Sequence, residues 1–281
     1  MKRSLSNWLS MPLLLGSVLL ASCATGSDVA NPTFADDLAA AERGDAAAQF
    51  LVGLAYDTGI GAAADPSLAV SYYSRAAEHG HVGAWNNLGT LFYEGRGVTK
   101  SYATACSWFQ RAAAEGFAKS IANLGVLHCA GHGVPRDLAK ARQLFTRAAE
   151  GGEVSAQLLL GIACHQGVGG DLDKAAAAHW FAQAAAQGDP VAQHHLGLQL
   201  LAGDGIDSDA ARGAGWLRLA AAKGLAAAQY DYALCLAQGN GVPRDVEAGR
   251  AWMQKAAAGG HAVAKQRAAT WSDLPAAPPG R

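Results

Sequence analysis

The sequence predicts an all-α protein, an α/α solenoid (superhelix) of six helix-turn-helix repeats, each 36 residues long. Three observations predict it. Seven glycines, Gly44, Gly80, Gly116, Gly152, Gly188, Gly224 and Gly260, stand in arithmetic progression without an insertion or deletion. A period in this range marks stacked supersecondary units, each burying its face against its neighbours. Between these glycines the apolar residues fall at helical spacing, and a Gly-x-Gly motif divides each interval into two helices. Of the 281 residues 51% are apolar, mostly alanine, and only 7% are aromatic. Alanine has the highest helix propensity and lets helix axes approach closely.

The N-terminus comes first. Lys2 and Arg3 precede an apolar stretch from Leu9 to Ala21, too short to span a bilayer and of the size of a signal-peptide core. It ends in Leu20-Ala21-Ser22-Cys23, which resembles the lipobox of bacterial lipoproteins. That resemblance implies removal of residues 1–22 and acylation of Cys23, palmitate included, and more than one acyl chain anchors a protein stably. Ala24 rather than aspartate follows the cysteine, which by similarity to enterobacterial sorting implies the outer membrane, periplasmic face. Residues 23–35 then read as the lipidated cysteine and a flexible tether.

The repeat region is expected over residues 36–269. The first helix of each unit, helix A, carries a small residue four positions past the progression glycine, as at Ala48, Ala84 and Ser120. A Leu-Gly pair follows in most units, as at Leu88-Gly89 and Leu124-Gly125. A mid-helix glycine costs about 1 kcal/mol against alanine, which predicts a close helix contact at that point. Helix A ends at Gly-x-Gly, first at Gly59-Ile60-Gly61 and last at Gly239-Asn240-Gly241. Asp65, Ser101, Asp137, Asp173, Asp209 and Asp245 are the expected N-caps of helix B, with Pro66 at a favoured first position. Helix B carries a bulky pair, from Tyr72-Tyr73 to Trp252-Met253, expected to fill the space the glycines leave, and Ala-Ala follows. Residues 36–43 read as the tail of a helix B, and His261 to Ala269 as a seventh helix A that caps the stack. Residues 270–281, with Pro275, Pro278 and Pro279, read as a disordered tail.

This column pattern resembles the Sel1-like repeat, a relative of the tetratricopeptide repeat. The resemblance implies a concave groove lined by helix A. Carried over column by column, it places Phe50, Asn86, His194 and Tyr230, then Thr90, then Tyr93, on a peptide-binding face. Asn87 and Asn123 match the asparagine often found in tetratricopeptide repeats, whose amide pairs with an extended peptide backbone.

Function is bounded as much by what is missing. A formal charge of −1, from 22 basic and 23 acidic residues, leaves no electrostatic footprint for nucleic acid. The Gly-x-Gly turns lack both the preceding strand and the Gly-Lys-Ser/Thr of a phosphate loop. There is no His-Glu-x-x-His, Gly-x-Ser-x-Gly or Cys-x-x-Cys, so no catalytic residue and no cofactor is assigned. Cys106 and Cys129 fall level on adjacent helices and form a candidate disulfide, or else are small buried apolar residues. His128, Cys129, His132, Cys164 and His165 gather near the turn edge with metal-ligand chemistry. His128 and Cys164, however, hold the core column of Tyr56 and Phe92, and no metal is assigned. The function expected is a non-enzymatic interaction scaffold of the cell envelope, attached to the membrane by lipid and binding a client protein or peptide. The alternatives are a β-lactam-binding or hydrolysing Sel1-like enzyme, and a peptidoglycan-associated structural protein.

Overall fold

The structure, a computed structural model, describes residues 33–269 and 271. The leader, Cys23 and the tail beyond Trp271 lie outside the described residues. Among those described, fourteen helices and no strands occur. The chain divides into two compact units at Gly151/Gly152. The first holds α1 (Phe34–Glu42), α2 (Ala46–Thr58), α3 (Pro66–Glu78), α4 (Val82–Glu94), α5 (Tyr102–Ala114), α6 (Ala118–Ala130) and α7 (Leu138–Glu150). The second holds α8 (Val154–Gln166), α9 (Lys174–Ala186), α10 (Pro190–Ala202), α11 (Ala210–Ala222), α12 (Ala226–Gln238), α13 (Val246–Ala258) and α14 (Ala262–Ala269). Within each unit every helix packs on the next in sequence, so each is a stretch of α/α solenoid.

The local chemistry is as expected. All six predicted N-caps accept a backbone N–H of the first helical turn; Asp137 takes that of Lys140 at 2.9 Å. Helix A stops at a left-handed glycine, as at Gly131 (φ 73°), whose N–H reaches the Leu127 carbonyl at 2.8 Å. The second turn glycine has a different task. A Cβ on Gly97 would overlap the Pro66 carbonyl, so this glycine lets the turn lie on the start of α3.

The mid-helix glycines receive the second member of the bulky pair. A Cβ built on Gly53, Gly89 or Gly125 would come within 2.6 Å of Tyr73, Phe109 or Phe145. In the second unit Gly161 meets Phe181, and Gly197 meets Leu217. All five partners are buried to within 2% of completely. The sixth repeat has Ala233 at this column, and the residue opposite is the flexible Met253.

Two boundaries move. The tether expected through residue 35 ends sooner, because Thr33 caps α1 in a reciprocal capping box with Asp36. Trp271, placed by sequence in the tail, is 3% exposed and belongs to the solenoid end. Its indole donates to the Val246 carbonyl at 3.1 Å, and its ring covers the core around Met253, Ala256 and Ala264. An apolar face that the next repeat would otherwise cover takes this ring instead.

Candidate binding surface

Helix A bears every residue the resemblance placed on a groove, but the structure divides them into two groups. Asn86, Asn87, Thr90 and Asn123 are buried, at 2%, 8%, 7% and 6% exposure. The Asn86 carbonyl oxygen accepts from Ser120 Oγ at 2.9 Å and Asn123 Nδ2 at 3.2 Å, both on α6. Its amide nitrogen donates to Asn87 Oδ1 at 3.1 Å, and Thr90 Oγ1 donates to the Asn86 backbone carbonyl. These amides are therefore not open to a peptide. The column six residues past the glycine turns toward the next helix A, and burial obliges its polar groups to pair there.

The second group is half-buried and presents rings. Phe50 stacks on His81 at 4.3 Å between centroids, while His81 Nδ1 caps α4 by accepting from Ala84 N–H. Tyr230 stacks on His261 at 4.5 Å, and His261 Nδ1 accepts from Ala264 N–H in the first turn of α14. His194 bonds to Asp231 of α12 at 2.6 Å. The Tyr93 hydroxyl meets His132 Nδ1 at 2.9 Å, and the His132 ring lies flat on Tyr102 at 4.2 Å. Lys100 stands over both tyrosines. Burial, then the charges of Tyr102 and Glu94, pushes the Tyr93 hydroxyl up to about 12. Burial and Lys100 together lower His132. Beside them, Arg96 pairs with Asp57 and with Glu94, both at 2.6 Å. Each ring is thus fixed to the neighbouring hairpin, leaving stiff, partly exposed aromatic and polar side chains on the A helices of each unit.

In the second unit a cavity of about 200 Å³ opens among α8, α9 and α10. Its lining includes His165, Phe181, His195, Leu198, Gln199 and Asp204. His195 stacks on Phe181 at 4.8 Å; burial, helped by His194 and His165, lowers it to about 4.

The proposed sulfur chemistry is not assembled. Cys106 and Cys129 are free thiols. Burial raises Cys106, and it raises Cys129 to about 11 against the weaker pull of Arg136, so neither is an activated thiolate. Of the five residues with metal-ligand chemistry, His132 is held between Tyr93 and Tyr102. Among the described residues no three His, Cys, Asp or Glu side chains are placed to hold a metal ion.

One feature of the stack escaped the sequence reading. Five residues past the glycine, a side-chain donor reaches back to the end of the preceding helix B. Gln49 Nε2 bonds to the Ala41 carbonyl, Trp85 Nε1 to Ala77, Gln193 Nε2 to Ala185 and Gln229 Nε2 to Ala221, at 3.0–3.2 Å. Where Ile121 cannot donate, Arg147 on α7 supplies the bond to Ala113. Glutamine recurring in an otherwise apolar helix row was the visible signal.

The family model of the Sel1 repeat matches residues 46–81, 84–117, 118–153, 154–189, 190–225 and 226–261. The chain belongs to the Sel1 repeat family. Among solved Sel1 structures, the chain is 32% identical to c5321, described as a protective antigen present in uropathogenic Escherichia coli strains, with a TM-score of 0.76. That match covers 85% of this chain but 51% of the other, so this chain spans about half its length. A Sel1 repeat protein from Oxalobacter formigenes is 30% identical, TM-score 0.72, over 77% of this chain and 89% of that one. Immunity protein PA5088 from Pseudomonas aeruginosa, 20% identical at a TM-score of 0.51 over 82% of this chain and 84% of that one, shares the fold. No curated protein matches the chain. Sel1 repeat proteins are generally non-catalytic scaffolds that bind protein partners.

Proposed function

We propose that this Sel1 repeat protein is a lipid-anchored, periplasm-facing scaffold that holds a client protein or peptide of the bacterial envelope and catalyses no reaction. The observation that carries the reading is the set of helix A rings in each unit, pinned in place by the next hairpin: Phe50–His81 and Tyr93–His132 in the first, Tyr230–His261 in the second. Rigid amphipathic rings supply contact area at low entropic cost, and such residues anchor protein interfaces. The anchor rests on Cys23 at the end of its leader. No helix among the described residues is long and apolar enough to cross a membrane, so attachment would fall to that cysteine. The description of the Escherichia coli relative as a protective antigen accords with an exported protein.

The test pairs fractionation with capture. Cys23→Ser should release the chain from the membrane fraction. Clients crosslinked to the native chain in envelope extracts should be lost from the double variant Tyr93→Ala, Tyr230→Ala, with its helical circular dichroism unchanged. A Cys23→Ser chain that stays on membranes stripped of its clients would refute the lipid anchor. Full capture by the double variant would remove these rings as the binding residues, and turnover of a chromogenic β-lactam would overturn the non-enzymatic reading.

A further inference from the structure

The fifth repeat breaks the pattern of its neighbours at one core column, and the break opens onto the cavity in the second unit. Eleven residues past the progression glycine stand Ala55, Leu91, Leu127, Ala163 and Cys235, all apolar, but here Gln199. Its side chain is 4% exposed, like the leucines it replaces. Gln199 Nε2 donates to the Lys174 carbonyl at 3.4 Å, which orients the amide. Gln199 Oε1 is left buried without a hydrogen-bond partner, and so is Nδ1 of His165, and both residues line the cavity. A buried, unpaired acceptor carries its full desolvation cost, so such groups are expected to meet a donor.

The rest of the lining says which donor. Asp204 brings a carboxylate whose Oδ1 takes the Lys174 ammonium at 2.5 Å. That pairing holds the nearby lysine on Asp204. His195 is uncharged at neutral pH, since its environment keeps it near 4. The wall thus offers oxygen acceptors, a carboxylate and no free cation. Phe181 and the partly exposed Leu198 supply apolar sides, and the Phe181–His195 stack, 10° from parallel, is flat. A planar cation rich in N–H donors and carried on an apolar stem matches this combination: guanidinium stacks on rings and spreads five donors in one plane. Ammonium offers neither the plane nor the spread.

We propose that this cavity is a side-chain subsite for a guanidinium group, seating an arginine of a bound client peptide against Gln199 and Asp204. The peptide as its source rests on the scaffold reading above; the recognition of guanidinium does not.

The full chain is titrated with N-acetyl-arginine methylamide while the imidazole resonances of His165 and His195 are followed by NMR. The lysine and glutamate analogues are run in parallel. Gln199→Leu restores the residue found at this column in the second and third repeats, and Asp204→Asn changes a turn position, so both variants keep the fold. The arginine probe should shift both imidazoles saturably, and each variant should bind it at least about tenfold more weakly, the loss expected for one hydrogen bond to a charged group. The glutamate analogue should give no saturable shift. Absence of saturation with arginine, or equal affinity in both variants, overturns the subsite. Equal binding of lysine and arginine overturns the guanidinium assignment. Because no client enters this assay, its failure leaves the scaffold reading standing, and failure of the native chain to capture any client, with an intact titration, would refute only the scaffold.

Discussion

Replacing Gly125 with alanine sets two effects of opposite sign against each other in the middle of α6. Alanine gains about 0.5–1 kcal/mol in a helix interior by restricting the unfolded chain. Its Cβ, however, would lie 2.6 Å from Cε1 and 2.8 Å from Cδ1 of Phe145, a ring 2% exposed. Carbon contacts are favourable only from about 3.5 Å, so the ring must retreat by roughly 0.9 Å into a packed core. Overpacking of this kind costs about 1–3 kcal/mol. The balance is a net loss of about 1 kcal/mol. The sixth repeat accommodates alanine at this column, where Ala233 shares a core cluster with Met253. Phe145→Met alone should cost about 1–2 kcal/mol through lost contacts over the glycine. The double variant should therefore be more stable than the sum of the two losses predicts, by about 1 kcal/mol. Urea unfolding of the four proteins, followed by circular dichroism, closes the cycle. Additivity within about 0.5 kcal/mol, or a Gly125→Ala protein more stable than its parent, would refute the claim that this glycine exists to receive the ring.

Two further outcomes follow from the second unit. Burial, then His194 and His165, lowers His195 from 6.5 to about 4, so between those pH values the unfolded chain takes up a proton that the folded chain refuses. Stability is therefore full above about pH 6.5 and falls toward pH 4, by up to roughly 3 kcal/mol. His195→Asn, which borrows the residue of the same column in the second and third repeats, should flatten that part of the urea-stability profile; an unchanged slope would assign it to another group. Gln229→Leu keeps the volume but removes the bond to the Ala221 carbonyl, and should lower stability by about 1 kcal/mol; an unchanged urea midpoint would show that this bond contributes nothing.

The period, the caps and the glycine-to-ring contacts were legible in the sequence because each depends on chemistry within one hairpin. Asp137 needs only the next turn of its own helix, and Gly125 and Phe145 lie on the two arms of one hairpin. What failed was the step between hairpins. Whether Asn86 faces solvent or the next helix A depends on the stagger of the stack, and periodicity within one helix carries no record of that stagger. Carrying over columns from a related repeat supplied no such record, and the buried Asn86–Ser120–Asn123 cluster turns these amides toward the next helix A. Trp271 escaped for the same reason. It fell inside the expected tail of residues 270–281, and only the uncovered face of the last hairpin gives it a place.

The array nonetheless carries its own record of how one hairpin meets the next. In four of the six repeats column six makes that contact in one of two ways; in the other two it is the buried Ala122 or Leu158. Where it is polar, as at Asn86 and His194, the partner is a polar residue at column seven of the following repeat, Asn123 or Asp231. Where it is a half-buried ring, as at Phe50 and Tyr230, the partner is a histidine at column one of the following repeat, His81 or His261. Those are the two repeat boundaries at which column one is histidine rather than aspartate, glutamate, phenylalanine or leucine. The histidine serves because Nδ1 accepts the bond that an aspartate cap would accept, while its ring offers the flat surface aspartate lacks. A capping position thus doubles as the floor beneath an aromatic side chain. Phe50 and Tyr230 are stiff for that reason, and a stiff ring loses little entropy when a client covers it.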